Sequence, residues 1–265
     1  MNYTLALSAT VQGIRRHSAA VTILAVAVSI LPVHAQVQVL VGPQVRIDTG
    51  GGTFAANETT ASVSEANPNI VIAGWNDWRR SGASEVINCG FSLSLNGGQS
   101  WSDFLIRPPA MNQSNVEGDP MTAYDDRTGT LWAGGISFTA GANSGIYVAK
   151  RSPGAILFSP SVMARTTSGT DKGWMAAGPR PGLPDTTRLY ITYNEGVIWS
   201  DDLGTTWTTP ISLGSGLGFL PRIGPDGELY VANRLRDTIS RIAAITVEET
   251  FLLEHALVQI TWKMG

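Results

Sequence analysis

The chain is poor in the residues that carry much enzyme chemistry: one cysteine, Cys89, and three histidines in 265 residues. A single thiol excludes an internal disulfide framework, and Cys89 is expected as a buried strand thiol. His17 and His34 fall in the first 35 residues, so only His255 remains beyond them. That leaves a Ser-His-Asp triad or a multi-histidine metal site without its members, and any chemistry falls to carboxylates, Tyr, Lys or Arg. Charge is also sparse, at 15% of residues with a formal net of -3. There is no basic footprint for a nucleic acid.

Long apolar runs are missing too. The stretch Ala19–Leu31 follows Arg15 and Arg16 and precedes Val33-His34-Ala35. A helix crossing a bilayer needs about 20 apolar residues. This pattern is that of a secretory signal cleaved near Ala35, with a mature chain from Gln36 that is secreted or periplasmic and has no membrane attachment. An uncleaved anchor is the alternative.

What the chain has in plenty is turn chemistry, with 29 Gly and 14 Pro. Four segments repeat one plan of strand, turn and second strand: Ala61–Trp75, Met121–Ile136, Trp174–Tyr193 and Pro221–Asn233. Their second strands align as Ile70-Val71-Ile72-Ala73, Thr130-Leu131-Trp132-Ala133, Arg188-Leu189-Tyr190-Ile191 and Glu228-Leu229-Tyr230-Val231. The offsets are roughly 60, 58 and 40 residues, in the range of propeller blades. Such sheets cannot bury both faces alone and must stack.

Within the repeat lies a motif. Ser200-Asp201-Asp202-Leu203-Gly204-Thr205-Thr206-Trp207 fits Ser-x-Asp-x-Gly-x-Thr-Trp, and Ser94-Leu95-Asn96-Gly97-Gly98-Gln99-Ser100-Trp101 fits with Asn for Asp and Ser for Thr. Ser152–Phe158 reads as a degenerate third copy. The Asp or Asn side chain and the Gly suit a tight turn, and the hydroxyls can satisfy its backbone groups. Ser94, Asn96, Gly98 and Trp101, with Ser200, Asp202, Gly204 and Trp207, are therefore structural residues. Trp101 and Trp207 are expected between neighbouring blades.

This motif resembles the Asp-box, or bacterial neuraminidase repeat, of the sialidase-like β-propellers. The resemblance covers about residues 59–234. It implies an all-β fold of antiparallel four-stranded blades, of a six-bladed type, with about four blades present. The expected organisation is a signal at 1–35, a linker or strand at 36–58 containing Gly50-Gly51-Gly52, blades at 59–234, and an atypical tail at 235–265. The tail contains a helix-like run, Glu248–Leu257. It reads either as a cap or partner surface, or as truncated or out-of-frame sequence.

In that family the box lies opposite the ligand face. The resemblance then places Asp77, Arg79, Arg80, Glu117, Asp119, Asp171, Lys172, Glu195 and Arg222 on the ligand face. Asp77 stands by loop position where the family's acid/base Asp lies, and guanidinium groups could clamp a sialic acid carboxylate. Tyr193 borders the same face. Gly118-Asp119-Pro120 and Asp171-Lys172-Gly173-Trp174 look similar to blade-opening strings of secreted Asp-box proteins. The family's Phe/Tyr-Arg-Ile-Pro segment is absent; Val45-Arg46-Ile47-Asp48 and Pro221-Arg222-Ile223-Gly224 do not match it. The reading is a secreted module that binds a glycan or an extracellular protein without complete catalytic machinery. The alternative is an exo-α-sialidase or related glycoside hydrolase. No cofactor is expected; Ca²⁺ would favour channel carboxylates, but no Asp-x-Asp-x-Asp-Gly loop is present. Oligomeric state is not specified.

Overall fold

The computed structural model describes residues 42–48, 55–79, 87–109, 117–138, 144–233, 238–242 and 258–261. The signal segment, the triglycine, Arg80 and the helix-like run Glu248–Leu257 lie outside them. The chain divides into units Met1–Pro43 and Gln44–Gly265, and every strand among the described residues lies in the second.

The described residues contain strands and no helix. The first sheet is formed by β1 (Ala56–Val63), β2 (Val71–Asp77), β3 (Asn88–Ser94) and β4 (Ser102–Leu105), paired in that order. The second is β5 (Glu117–Asp125), β6 (Thr130–Phe138), β7 (Ser144–Arg151) and β8 (Val162–Thr166). The third is β9 (Trp174–Arg180), β10 (Leu183–Tyr193) and β11 (Gly196–Ser200). The fourth is β12 (Phe219–Ile223), β13 (Leu229–Asn233), β14 (Thr238–Ile242) and β15 (Val258–Thr261). All pairs are antiparallel between sequence neighbours.

The third sheet departs from the four-strand expectation. In place of a fourth strand, Val197 and Ile211 exchange two backbone hydrogen bonds of 2.9 Å. Pro210 beside this bridge has no N–H to extend the ladder. The fourth sheet departs in the other direction. The segment expected to break the plan supplies β14 and β15, with Leu229 opposite Ile242 and Thr238 opposite Thr261.

Strand alternation builds the layers between sheets. On β6, Leu131 and Ala133 face a cluster with Ile72, Cys89 and Phe91 of the first sheet. The intervening Trp132, and Ile136 beyond, face a second cluster with Leu189, Ile191 and Tyr193 of the third sheet. Tyr190 and Trp199 turn to the fourth sheet, against Phe219, Leu229 and Val231. Trp132 is fully buried, and an aromatic side chain of this size contributes about 4–6 kcal/mol by area removed from water. Each sheet is thus stabilised mainly through its neighbours.

The two motif copies fold into matching turns. Ser200 Oγ accepts from Gly204 N at 2.8 Å and donates to Asp202 Oδ1 at 2.7 Å. Asp202 Oδ1 accepts from the amides of Thr205 and Thr206 at 3.0 and 2.8 Å, and Thr206 Oγ1 donates to Oδ2 at 2.6 Å. In the first copy Gly98 N donates to Ser94 Oγ at 2.8 Å and Ser100 N to Asn96 Oδ1 at 2.9 Å. There the last bond runs the other way: Asn96 Nδ2 donates to Ser100 Oγ at 2.8 Å. Both Trp rings close on the turn glycine, with Nε1 donating to Gly98 O at 2.9 Å and Gly204 O at 3.2 Å. Trp207 also packs against the cluster between the second and third sheets; Trp101 belongs to none of the three clusters. Trp132 Nε1 crosses to Leu203 O at 3.3 Å and ties the second turn to the preceding sheet.

Candidate functional site

The end of the sheets opposite these turns carries a repeated distortion. The pairing of β1 with β2 shifts register between Asn57 and Thr60, and that of β5 with β6 between Gly118 and Met121. A bulge inserts a residue and re-aims side chains. Glu58, Asp119 and Lys172 sit at the corresponding positions with φ of 52°, 46° and 50°. The fourth sheet has Gly218 there, with φ 71°. Glycine suits that region; side-chain-bearing residues held there store about 1–3 kcal/mol each, and such strain clusters at functional sites.

The three strained residues meet. Lys172 Nζ lies 2.5 Å from Glu58 Oε1 and 3.4 Å from Asp119 Oδ1. Lys172 N donates to Asp119 Oδ2 at 2.7 Å. Asn76 at the end of β2 binds both arms: its Nδ2 donates to Glu58 Oε2 at 3.0 Å, and its Oδ1 accepts from Asp119 N at 3.0 Å.

The two carboxyls are driven apart in acidity. The hydrogen bond with Asp119 pulls Glu58 down to about 2, helped by Lys172 and Asn76 against desolvation. Burial, then the bond with Glu58, pushes Asp119 up to about 7 against the Lys172 amide and charge. The pair therefore shares a proton over the acidic-to-neutral range. Beside it lies a cleft of about 50 Å³ lined by Glu58, Thr59, Asp119, Pro120, Lys172, Gly173 and Trp174. The Trp174 indole N–H at this cleft is buried without a hydrogen-bond acceptor. The site offers carboxylate acceptors, a proton and an aromatic wall. It has room for one projecting group of a ligand.

The other sequence-derived candidates lie apart from this cleft. Asp77 follows Asn76 on β2, and strand alternation sends it to the other face. It is closed from solvent and held by Arg79, with Nη2 to Oδ2 at 2.7 Å and Nε to Oδ1 at 2.9 Å. Arg79 also bridges to Asp103 at 3.1 Å and lies over the Trp75 ring at 5.5 Å. These partners, Asp77 first, hold its guanidinium firmly charged. Glu117 is fully buried, with the Cys89 backbone and the Tyr147 hydroxyl against its carboxyl. Burial pushes it up to about 7, with the Arg107 charge opposing.

Glu195 accepts from Thr167 Oγ1 at 2.9 Å and from Tyr193 OH at 3.1 Å, and lies 3.6 Å from Arg165. Burial, then the Glu195 charge, raises the Tyr193 phenol well above its ordinary value. Asp171 is pinned by its amide to Asn194 Oδ1 at 3.0 Å. Arg222 stands exposed, three residues into β12, and donates to Pro221 O at 2.8 Å. Of the sequence candidates, then, the structure brings together Asp119 with Lys172 at the cleft and, apart from it, Asp77 with Arg79. It adds Glu58 and Asn76, which sequence reasoning missed. Aligning Asn57-Glu58-Thr59-Thr60 under Gly118-Asp119-Pro120-Met121 would have found Glu58. Among the described residues no cluster of three or more His, Cys, Asp or Glu is placed to hold a metal, and no helix is long and apolar enough to cross a membrane.

No protein-family model and no curated protein matches this chain. Solved structures do. A Hadza microbial sialidase superposes with a TM-score of 0.51 at 17% identity, covering 76% of this chain and 47% of that structure. The intramolecular trans-sialidase from Ruminococcus gnavus gives 0.49 at 12%, covering 78% and 71%. A lectin from Burkholderia pseudomallei gives 0.45 at 13%, covering 72% and 53%. The chain spans about half the length of the first of these. The fold is all-β and sialidase-like, a β-propeller of stacked antiparallel sheets that covers 47% of the Hadza microbial sialidase.

Proposed function

We propose that this chain is an exported glycan-binding module on a sialidase-like propeller, and that its two matching turns are Asp-boxes. The observation that carries the binding reading is the cleft where Glu58, Asp119 and Lys172 converge from three successive sheets beside Trp174. Carbohydrate hydroxyls need donors and acceptors in fixed positions with an aromatic face nearby, and this cleft supplies them. Lys172 is already claimed by two carboxyls, so the cleft does not cradle an anion. A neutral glycan fits it better than a sialoside.

A glycan array that includes sialylated and neutral structures tests this. The expected result is retention of neutral glycans, lost in Lys172→Met and in Trp174→Ala. Retention of sialosides alone, or of nothing, would sink the reading. A second reading, glycoside hydrolysis, is supported by one pairing: Asp119, protonated up to about 7, beside an ionised Glu58. That is the split a general acid and its partner carboxylate require. Turnover of fluorogenic glycosides with a descending limb near pH 7, abolished in Asp119→Asn, would favour hydrolysis over binding alone.

A further inference from the structure

A second concavity lies away from the cleft, on the outer margin of the first two sheets. It encloses about 930 Å³ between Ser102–Pro109 and Ile156–Ser161. Consecutive residues of β4, rather than alternate ones, line it. Leu93 and Leu95 line it as well, so it takes in the strand's edge and the adjoining face. Among the described residues β4 ends its sheet and pairs with β3 alone, so the slot borders a sheet edge. Phe104 stacks on Phe158 across the slot at 5.0 Å and on Phe91 at 5.8 Å.

The rim is unusually apolar. Leu95, Ile156 and Leu157 are 57, 89 and 78% exposed. Large exposed apolar side chains gathered round one groove mark an interaction surface. The charge of the slot is one-sided. Arg107 and Arg151 line it, while its Asp103 is bridged to Arg79. Arg151 Nε is buried without a hydrogen-bond acceptor among the described residues.

We propose that this slot docks an extended, apolar peptide strand bearing one acidic side chain, added to the outer edge of β4. The strand edge supplies main-chain hydrogen bonds, the Phe104–Phe158 floor and Leu157 rim take the inward side chains, and Arg151 takes the carboxylate. A peptide strand uses all three features together. The slot shares no lining residue with the Glu58–Lys172 cleft, so the two sites stand or fall separately.

The test uses the full chain and two fluorescein-labelled heptapeptides of alternating Val and Thr, one with Glu and one with Lys at the centre. Anisotropy titration is expected to show the Glu peptide binding about tenfold or more tightly than the Lys peptide. Arg151→Gln is expected to erase that preference. Leu157→Glu, at an exposed site where folding is not at stake, is expected to weaken both peptides while thermal melting stays unchanged. Hydrogen exchange should show protection of the Ser102–Leu105 amides on binding. No binding of either peptide, equal binding of both, or binding indifferent to Leu157→Glu would overturn the proposal. So would a concentration-dependent dimer in sedimentation that Leu157→Glu abolishes and the Glu peptide does not compete, which would place a second copy in the slot.

Discussion

The turn at Asp202 shows how one side chain can organise a hairpin. Its carboxylate accepts from two amides and from the hydroxyls of Ser200 and Thr206. Partial desolvation pushes its pKa up, but the Thr206 hydroxyl and amide, then Ser200 and Thr205, outweigh it and hold it at about 2. A carboxyl lowered below its unfolded value contributes stability that is present above about 4 and lost as pH falls through about 2. Asp202→Ala strands several donors and should cost about 1–3 kcal/mol in urea unfolding at neutral pH. Asp202→Asn should cost less, since Asn96 closes the first turn with the same backbone acceptor and a reversed bond to Ser100. A loss in Asp202→Asn as large as in Asp202→Ala would show that charge, not geometry, holds the turn. This much was legible in the sequence, because every partner of Asp202 lies within four residues. Asp77 was not legible in the same way. Its loop position suggested a ligand-facing carboxylate, whereas its environment is set by Arg79 and, through Arg79, by Asp103 on another strand.

At the scale of the element, the site is made by bulges. Glu58 and Asp119 sit in the bulges of β1 and β5 and Lys172 just ahead of β9, each with positive φ, and the three side chains meet at one point. Lys172 is the cation between two carboxyls, so its removal exposes their repulsion. Lys172→Met should therefore destabilise the fold by about 1–4 kcal/mol at pH 8, less than for a deeply buried pair because Glu58 and Lys172 are part exposed. At pH 5, where Asp119 holds its proton, the loss should shrink. Equal losses at the two pH values would mean that Lys172 acts through packing and not through the shared proton. The strands themselves were readable from β-branched and aromatic runs between turn signals. The bulges were not, because an extra residue leaves no periodic trace; only the alignment of one repeat on another marks them. The same limit applied to the last segment. β14 is placed there by pairing with β13, and β15 by pairing with β14, a non-local gain that local composition does not encode.

In the whole molecule, sheets are held by what lies between them, and the layer between the first two contains a buried acid. Glu117 is fully buried beside Cys89 and Tyr147 and is pushed from 4.5 up to about 7. Asp119, two residues on, is pushed from 3.8 up to about 7. Both native values are raised, so between about 4 and 7 the folded chain keeps protons that the unfolded chain has released. Stability from these groups is fully present below about 4 and is lost as pH rises through 7. Glu58 and Asp202, lowered to about 2, act with the opposite sign and only on the acid side. The folded chain should therefore be most stable in mildly acidic solution, near pH 4–5. Toward neutrality it should lose up to about 1.4 kcal/mol per pH unit for each of the two raised groups. Glu117→Gln removes one titration without touching Lys172 or Glu58, and the amide matches the protonated carboxyl in shape. Urea midpoints at pH 5, 6, 7 and 8 should decline less steeply in Glu117→Gln than in the parent chain, and the variant should be the more stable of the two at pH 8. Parallel declines would show that Glu117 is ionised at little cost, and that water or a counter-charge reaches the layer between the first two sheets.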